Sequence, residues 1–130
     1  MTTVNALSYA LITGASTGIG CSLAHCFAQR GIPLILSASP RSEQALADLA
    51  AQLQAQYGVA ALQHCVDLRQ AGAADALAAW VQAQGLQVAY LVNNAGFGIC
   101  EQAVQDYEPE RFAQMLQVNM LAPSRLISHF

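Results

Sequence analysis

The sequence predicts a doubly wound α/β domain around a parallel sheet, and three observations carry that reading. Apolar runs of strand length alternate with longer stretches of helical periodicity along the 130 residues, the pattern of helices covering both faces of a parallel sheet. The stretch Thr13 to Gly20, TGASTGIG, links the first apolar run to the first helical one through Gly14, Gly18 and Gly20. No linker, internal repeat or low-complexity segment breaks the alternation. Right-handed crossovers leave few windings for such a chain, and the expected strand order is 3-2-1-4. The carboxyl ends of strands one and four then flank the point where the winding reverses, which is the place for a ligand.

Tyr9-Ala10-Leu11-Ile12 reads as a short buried strand and Ile19 to Arg30 as the helix after the turn. Gly31 stands where it can cap that helix, and Ile32 to Leu36 is the second strand. Ser39-Pro40 announces a helix, with serine as N-cap and proline at the first helical position. Leu46, Leu49, Leu53 and Tyr57 recur along it at spacings of three and four, one apolar stripe on a surface of Ala, Gln and Asp. A third strand fits Ala60 to Val66, a third helix Gln70 to Gln84 with Leu77 and Val81 inward, and a fourth strand Val88 to Asn93. A last helix starts near Pro109, with Glu108 and Glu110 favourable to its dipole.

Hydrophobic residues make up 55% of the chain, ample for a core. Charged residues make up 10%, against roughly 25% in a typical soluble domain, so the surface is one that expects to be covered by more polypeptide or by a partner. A net charge of −3 with no basic cluster argues against nucleic acid. Met1 to Leu7 lacks the basic start of a signal peptide, and the apolar run after it is too short for a membrane span. The cytoplasm is the expected compartment, with no membrane partner. Cys21, Cys26, Cys65 and Cys100 form no C-x-x-C pair and no zinc spacing with His25, His64 or His129, so reduced thiols and no metal are expected. The five basic residues are all arginines, which leaves the chain without a lysine.

Chemistry is expected at the glycine turn. Absent side chains at Gly14, Gly18 and Gly20 permit a tight turn, close approach of backbone to a pyrophosphate, and close packing of helix on strand. The amides between Thr13 and Ile19, those of Ser16 and Thr17 among them, would face the anion. The spacing departs from G-x-G-x-x-G, and taken alone the stretch also reads as a plain glycine-rich loop before a helix. At the end of the second strand, Ser37-Ala38-Ser39-Pro40-Arg41 stands in place of the carboxylate that would hold the adenosine ribose of NAD. With Arg41 able to pair with a 2′-phosphate, NADP(H) is expected ahead of NAD(H). A capping Ser39 and a solvated Arg41 are the plainer roles.

TGASTGIG closely resembles the cofactor loop of the short-chain dehydrogenase/reductase family, and Asn93-Asn94-Ala95-Gly96 and Asn119 fall where that family has its other N-terminal motifs. The resemblance runs along nearly the whole chain. It implies a Rossmann-like dinucleotide-binding domain over residues 1–130, with a dinucleotide and a small carbonyl or alcohol as ligands. It implies that Asp67, with Leu68 beside it, contacts the adenine. Asp67 is equally placed to cap the third helix, with Gln70 completing a capping box. It further implies that Asn93, Ala95 and Gly96 steady the central strands and line the adenosine side of the cofactor, and that Phe97-Gly98 lies near the nicotinamide. Asn119 would be the one catalytic residue present, holding a water in a proton relay. By spacing, Asn119 shares the apolar face of the last helix with Phe112, Met115 and Leu116, as a buried amide in need of a partner. Pro123, with no N–H for the Asn119 carbonyl, should kink the helix there.

Catalysis in that family also requires a serine, a tyrosine, and a lysine four residues after the tyrosine. Tyr9, Tyr57, Tyr90 and Tyr107 have no lysine to follow them, and the strand that should bring the serine does not appear before Phe130. The expectation is the N-terminal, cofactor-binding half of an NAD(P)-dependent oxidoreductase, cut short after the helix that follows strand four and inactive alone. A non-catalytic dinucleotide-binding module and one subunit of a split enzyme are the alternatives. An open edge on strand four and an unpartnered last helix make a homo-oligomer the expected state.

Overall fold

A computed structural model of the chain describes residues 7–99, 103–106 and 108–130. Cys100 and Tyr107 lie outside the described residues, as does the segment before Leu7. Four parallel strands, β1 (Ser8–Thr13), β2 (Leu34–Ala38), β3 (Ala61–Cys65) and β4 (Gln87–Val92), form one sheet in the order β3-β2-β1-β4, as expected. The helices are α1 (Gly18–Gln29), α2 (Glu43–Tyr57), α3 (Ala73–Ala83), α4 (Pro109–Leu116) and α5 (Ala122–His129).

Alternation along the central strands divides the interior into two layers, because successive strand side chains point to opposite faces. Ala10, Ile12, Leu34 and Leu36 pack on one face with Ala24 and Ala28 of α1 and Leu46, Leu49 and Leu53 of α2. Tyr9, Leu11 and Ile35 pack on the other with Leu77 and Val81 of α3 and Leu126 of α5. The predicted stripe of α2 therefore meets the sheet, with Tyr57 half-buried at its end, where its hydroxyl lies 3.1 Å from Nδ1 of His25 on α1. Each fully buried leucine contributes roughly 2 kcal/mol through area removed from water.

Several boundaries differ from expectation for local reasons. β2 begins at Leu34, not Ile32, because Ile32 N–H closes the end of α1 on the Phe27 carbonyl and Pro33 has no N–H to give to a ladder. Gly31 does cap α1, donating to Ala28. Ser39 makes no side-chain capping bond: Pro40–Ser42 form a single 3₁₀ turn, and α2 starts only at Glu43. Asp67 does not cap α3 either. The chain turns twice after it, Gln70 N–H bonding to the Asp67 carbonyl and Ala73 N–H to that of Gln70, and Gly72 is the N-cap.

α4 and α5 are joined by one π turn, Gln117–Leu121, in which Ala122 N–H reaches back to the Gln117 carbonyl. The wider turn takes the place of the simple kink expected before Pro123, and such bulges accommodate a broken hydrogen-bond ladder. It also rephases the helix. Val118, Ala122 and Leu126 are the residues buried against the sheet, while Asn119 is exposed, which corrects its expected burial. Phe112, Leu116, Met120, Leu121 and Ile127 are exposed as well, an apolar surface on the outside of the α4–α5 segment. Asp75 of α3 holds α5 in place, accepting from Arg125 at 3.1 and 2.8 Å and lying 2.8 Å from Nε2 of His129.

His64 of β3 stacks on Trp80 of α3 with ring centroids 4.4 Å apart and planes 10° from parallel. Burial holds the His64 imidazole below its ordinary value, so the stability it contributes is fully present above about pH 6.5 and is lost as the pH falls from there through the lowered folded value. Trp80 is the single tryptophan, and a stacked imidazolium quenches indole. Its emission should fall on acidification with a midpoint below the ordinary histidine value, and the step should vanish in His64→Gln.

Candidate functional site

A cleft of about 510 Å³ opens at the carboxyl end of the sheet, where the winding reverses between β1 and β4. Its floor is a hydrogen-bonded clamp between those two strands. The Thr13 hydroxyl, 2% exposed at residue level, accepts the N–H groups of Asn94 at 3.1 Å and Ala95 at 3.0 Å. The Asn94 side-chain amide donates in the other direction, to the carbonyls of Thr13 at 3.1 Å and Gly14 at 3.0 Å. Ala15 N–H bonds to Ser37 O at 3.0 Å, which ties the same turn to β2.

Each glycine of the turn is required for a different reason. Gly14 has φ +62°, and a Cβ there would lie 2.9 Å from Ala95 Cα and 3.0 Å from Asn94 Nδ2. Gly18 has φ +57° with open space around it, so backbone conformation alone demands glycine at the position that faces the cleft. Gly20 is a matter of packing: an added Cβ would fall on the Gly14 carbonyl and 2.5 Å from Asn94 Nδ2. The N-cap of α1, Thr17, makes no side-chain capping bond, and the first turn carries no acidic residue. The helix thus presents its early amides to the cleft, the arrangement that suits an anion.

Beyond the glycine turn the cleft is lined by Ser37, Ala38, Ser39, Arg41 and Ser42 after β2, and by Val66, Asp67, Leu68 and Arg69 after β3. Among the described residues after β2, none that lines the cleft is a carboxylate. The carboxylate after β3 is already engaged: Asp67 Oδ1 accepts from Arg69 N–H and Nε–H, both at 3.0 Å, and Oδ2 from Nη2 at 2.9 Å. The Arg69 side-chain bond is the main reason its carboxyl stays below the usual range, with Arg41 adding a smaller pull.

A family model described as short chain dehydrogenase matches residues 8–130. The chain belongs to the short-chain dehydrogenase family. It is 34% identical over 119 residues to the fatty acyl-CoA reductase of Acinetobacter baylyi, covering 91% of this chain and 39% of that protein. It is 30% identical over 111 residues to the D-beta-hydroxybutyrate dehydrogenase of Cupriavidus necator, covering 85% of this chain and 42% of that one. The chain therefore spans less than half the length of these relatives. Among solved structures, a short-chain dehydrogenase from Sphingobium yanoikuyae in complex with NADPH superposes with a TM-score of 0.85 at 33% identity, over 95% of this chain and 46% of that one. L-sorbose reductase from Gluconobacter frateurii, complexed with NADPH and L-sorbose, gives 0.86 at 30% identity over the same shares.

Of the residues singled out from sequence in this short-chain dehydrogenase chain, Gly14, Ser16, Thr17, Gly18, Ile19, Ser39, Arg41, Asp67, Leu68, Ala95 and Gly96 line the one cleft. Gly20 sits beneath it as packing, and Asn93 is exposed and lies outside its lining. Asn119 stands one step away: its amide accepts from Phe97 N–H at 3.0 Å and donates to Phe97 O at 2.8 Å, fastening the loop after β4 to the π turn. Gly96 leaves room for this, since a Cβ there would come within 3.1 Å of Asn119 Oδ1. Sequence reasoning missed Thr13 and Arg69. A threonine closing a buried strand directly before a glycine was the available signal for the first, and an arginine two residues past a strand-end aspartate for the second.

Replacing Thr13 by valine keeps the volume and removes the acceptor of two N–H groups. Leaving such donors unpaired costs about 1–3 kcal/mol. Urea denaturation of Thr13→Val should show a loss in that range, while Thr13→Ser should retain most of the wild-type stability.

Proposed function

We propose that this chain is the dinucleotide-binding part of an oxidoreductase that moves a hydride between NADP(H) and a small carbonyl or alcohol. The observation that carries the reading is the cleft itself, lined by helix amides without a side-chain cap, by glycine backbone, and by an Arg41 that has no hydrogen bond or ion pair among the described residues. The residues fit such a ligand: the cradle at Gly14 and Gly18 is one that a Cβ or ordinary backbone torsions would spoil. Bound NADP(H) supplies the hydride donor or acceptor at its nicotinamide ring. The chain's own part is to hold the diphosphate at the amides of the turn, to accept from the adenine at the lone pair that Arg69 leaves on Asp67, and to pair Arg41 with a 2′-phosphate. Asn119 and Phe97 keep the loop after β4 in place beside the cleft. Related structures solved in complex with NADPH or NADP support the same cofactor.

These residues bind without turning over. They include no lysine, so no tyrosine is followed four residues on by the lysine that would complete an acid–base pair with it. Tyr9 is in the core, Tyr57 is engaged by His25, and Tyr90 packs on Phe27. The exposed apolar face of α4–α5 and the outer edge of β4 favour association, with a second copy or with a chain that brings the missing groups. Unpaired Cys21, Cys26 and Cys65 fit a cytoplasmic setting. No helix among the described residues is long and apolar enough to cross a membrane.

NADPH fluorescence should shift and saturate when the chain is added, with no consumption of NADPH in the presence of simple ketones or aldehydes. Arg41→Ala should weaken NADPH by about tenfold, the worth of one charge-assisted bond, and leave NADH nearly unchanged. Steady oxidation of NADPH by the chain alone would refute the inactive reading, and equal losses for the two dinucleotides would refute the role of Arg41. In light scattering the chain should run larger than a monomer.

A further inference from the structure

Arg69 is the charged residue of the cleft lining to which the dinucleotide reading gives no task. Arg41, Asp67 and Arg69 are the charged side chains in the cleft lining among the described residues. All of the carboxylate's strong bonds go to Arg69, which reaches both oxygens with its guanidinium and adds its own backbone N–H. Arg41 is near enough to Asp67 for its charge to help hold that carboxyl low. Yet Arg41 has no hydrogen bond or ion pair among the described residues. Bidentate pairing is the strongest geometry open to a carboxylate and a guanidinium, and Asp67 makes it with Arg69. Arg69 wins because it is two residues from Asp67, so closing the pair orders little chain.

We propose that Arg69 sets the phosphate specificity of the cleft: by pairing with both oxygens of Asp67 it leaves Arg41 free for the 2′-phosphate of the dinucleotide. The pair is a charge guard more than a stabilising bridge, because both side chains are partly exposed, at 37% and 23%. Without Arg69 the aspartate carries an uncompensated charge, draws Arg41 toward itself and repels the phosphate. This inference rests on the dinucleotide reading above, and Arg69 acts here as a positioning residue, through Arg41.

The test is the ratio of NADPH to NADH affinity, measured by titration of the full chain, because contacts common to the two dinucleotides cancel in it. Arg69→Met should lower the ratio by about tenfold, the loss expected for one charge-assisted phosphate contact. Adding Asp67→Asn to Arg69→Met removes the competing carboxylate and should restore the ratio to within about twofold of the wild type, a rescue that a merely structural arginine would not show. Arg69→Gln, neutral but still hydrogen-bonding, is the second variant should the methionine form fail to fold, and it should move the ratio the same way. An unchanged ratio in the Arg69 variants, or a double variant that does not recover, overturns the inference while leaving dinucleotide binding intact. A wild-type chain that binds neither dinucleotide overturns both.

Discussion

One hydroxyl and one amide hold the candidate site together. At the carboxyl end of a parallel sheet the backbone N–H and C=O groups of the last ladder positions lose their partners, and buried ones must find others. Here Thr13 supplies the acceptor and Asn94 the donor, so β1 and β4 finish on each other's side-chain groups rather than on solvent. The consequence is geometric. The chain leaves β1 through Gly14 with its turn pressed against Ala95, and only the absence of side chains at Gly14 and Gly20 lets helix and strand approach that closely. The cleft is the space left over by a contact.

The charges of the cleft follow a similar economy. A chain that is 10% charged puts three of those groups at one site, and two of them neutralise each other within three residues of sequence. Asp67 and Arg69 do little for the stability of so exposed a corner. Their effect is on the field that a ligand meets at the end of β2, where two serines and Arg41 stand where an acidic residue would favour an unphosphorylated ribose.

The strand order, the helices and most of the cleft were legible in the sequence because each rests on a local signal: apolar periodicity, strand-length runs, and a glycine turn between them. Ser37, Ser39 and Arg41 followed from counting along from the turn. What escaped reading depends on contacts between segments far apart. Ser39 looked like a cap, but Pro40 opens a separate 3₁₀ turn and α2 begins later, which frees the serine to line the cleft. Asp67 looked like a cap as well, until Arg69 claimed it. Asn119 was read onto an apolar face with a constant helical period. The π turn adds its extra residue between Gln117 and Leu121, so Val118 takes the buried position and Asn119 turns to the loop at Phe97.

Thr13 and the Asn94 N–H that it accepts are 81 residues apart in sequence, and this span dictates an order of assembly. Contacts of such high separation form late, since the chain between them must lose its freedom first. The βαβ unit of β1, α1 and β2 can gather locally, yet its glycine turn has no wall at Ala95 and no amide from Asn94 until β4 docks. During synthesis the cleft therefore stays open on one side until β4 has emerged, and it is completed in a single late step.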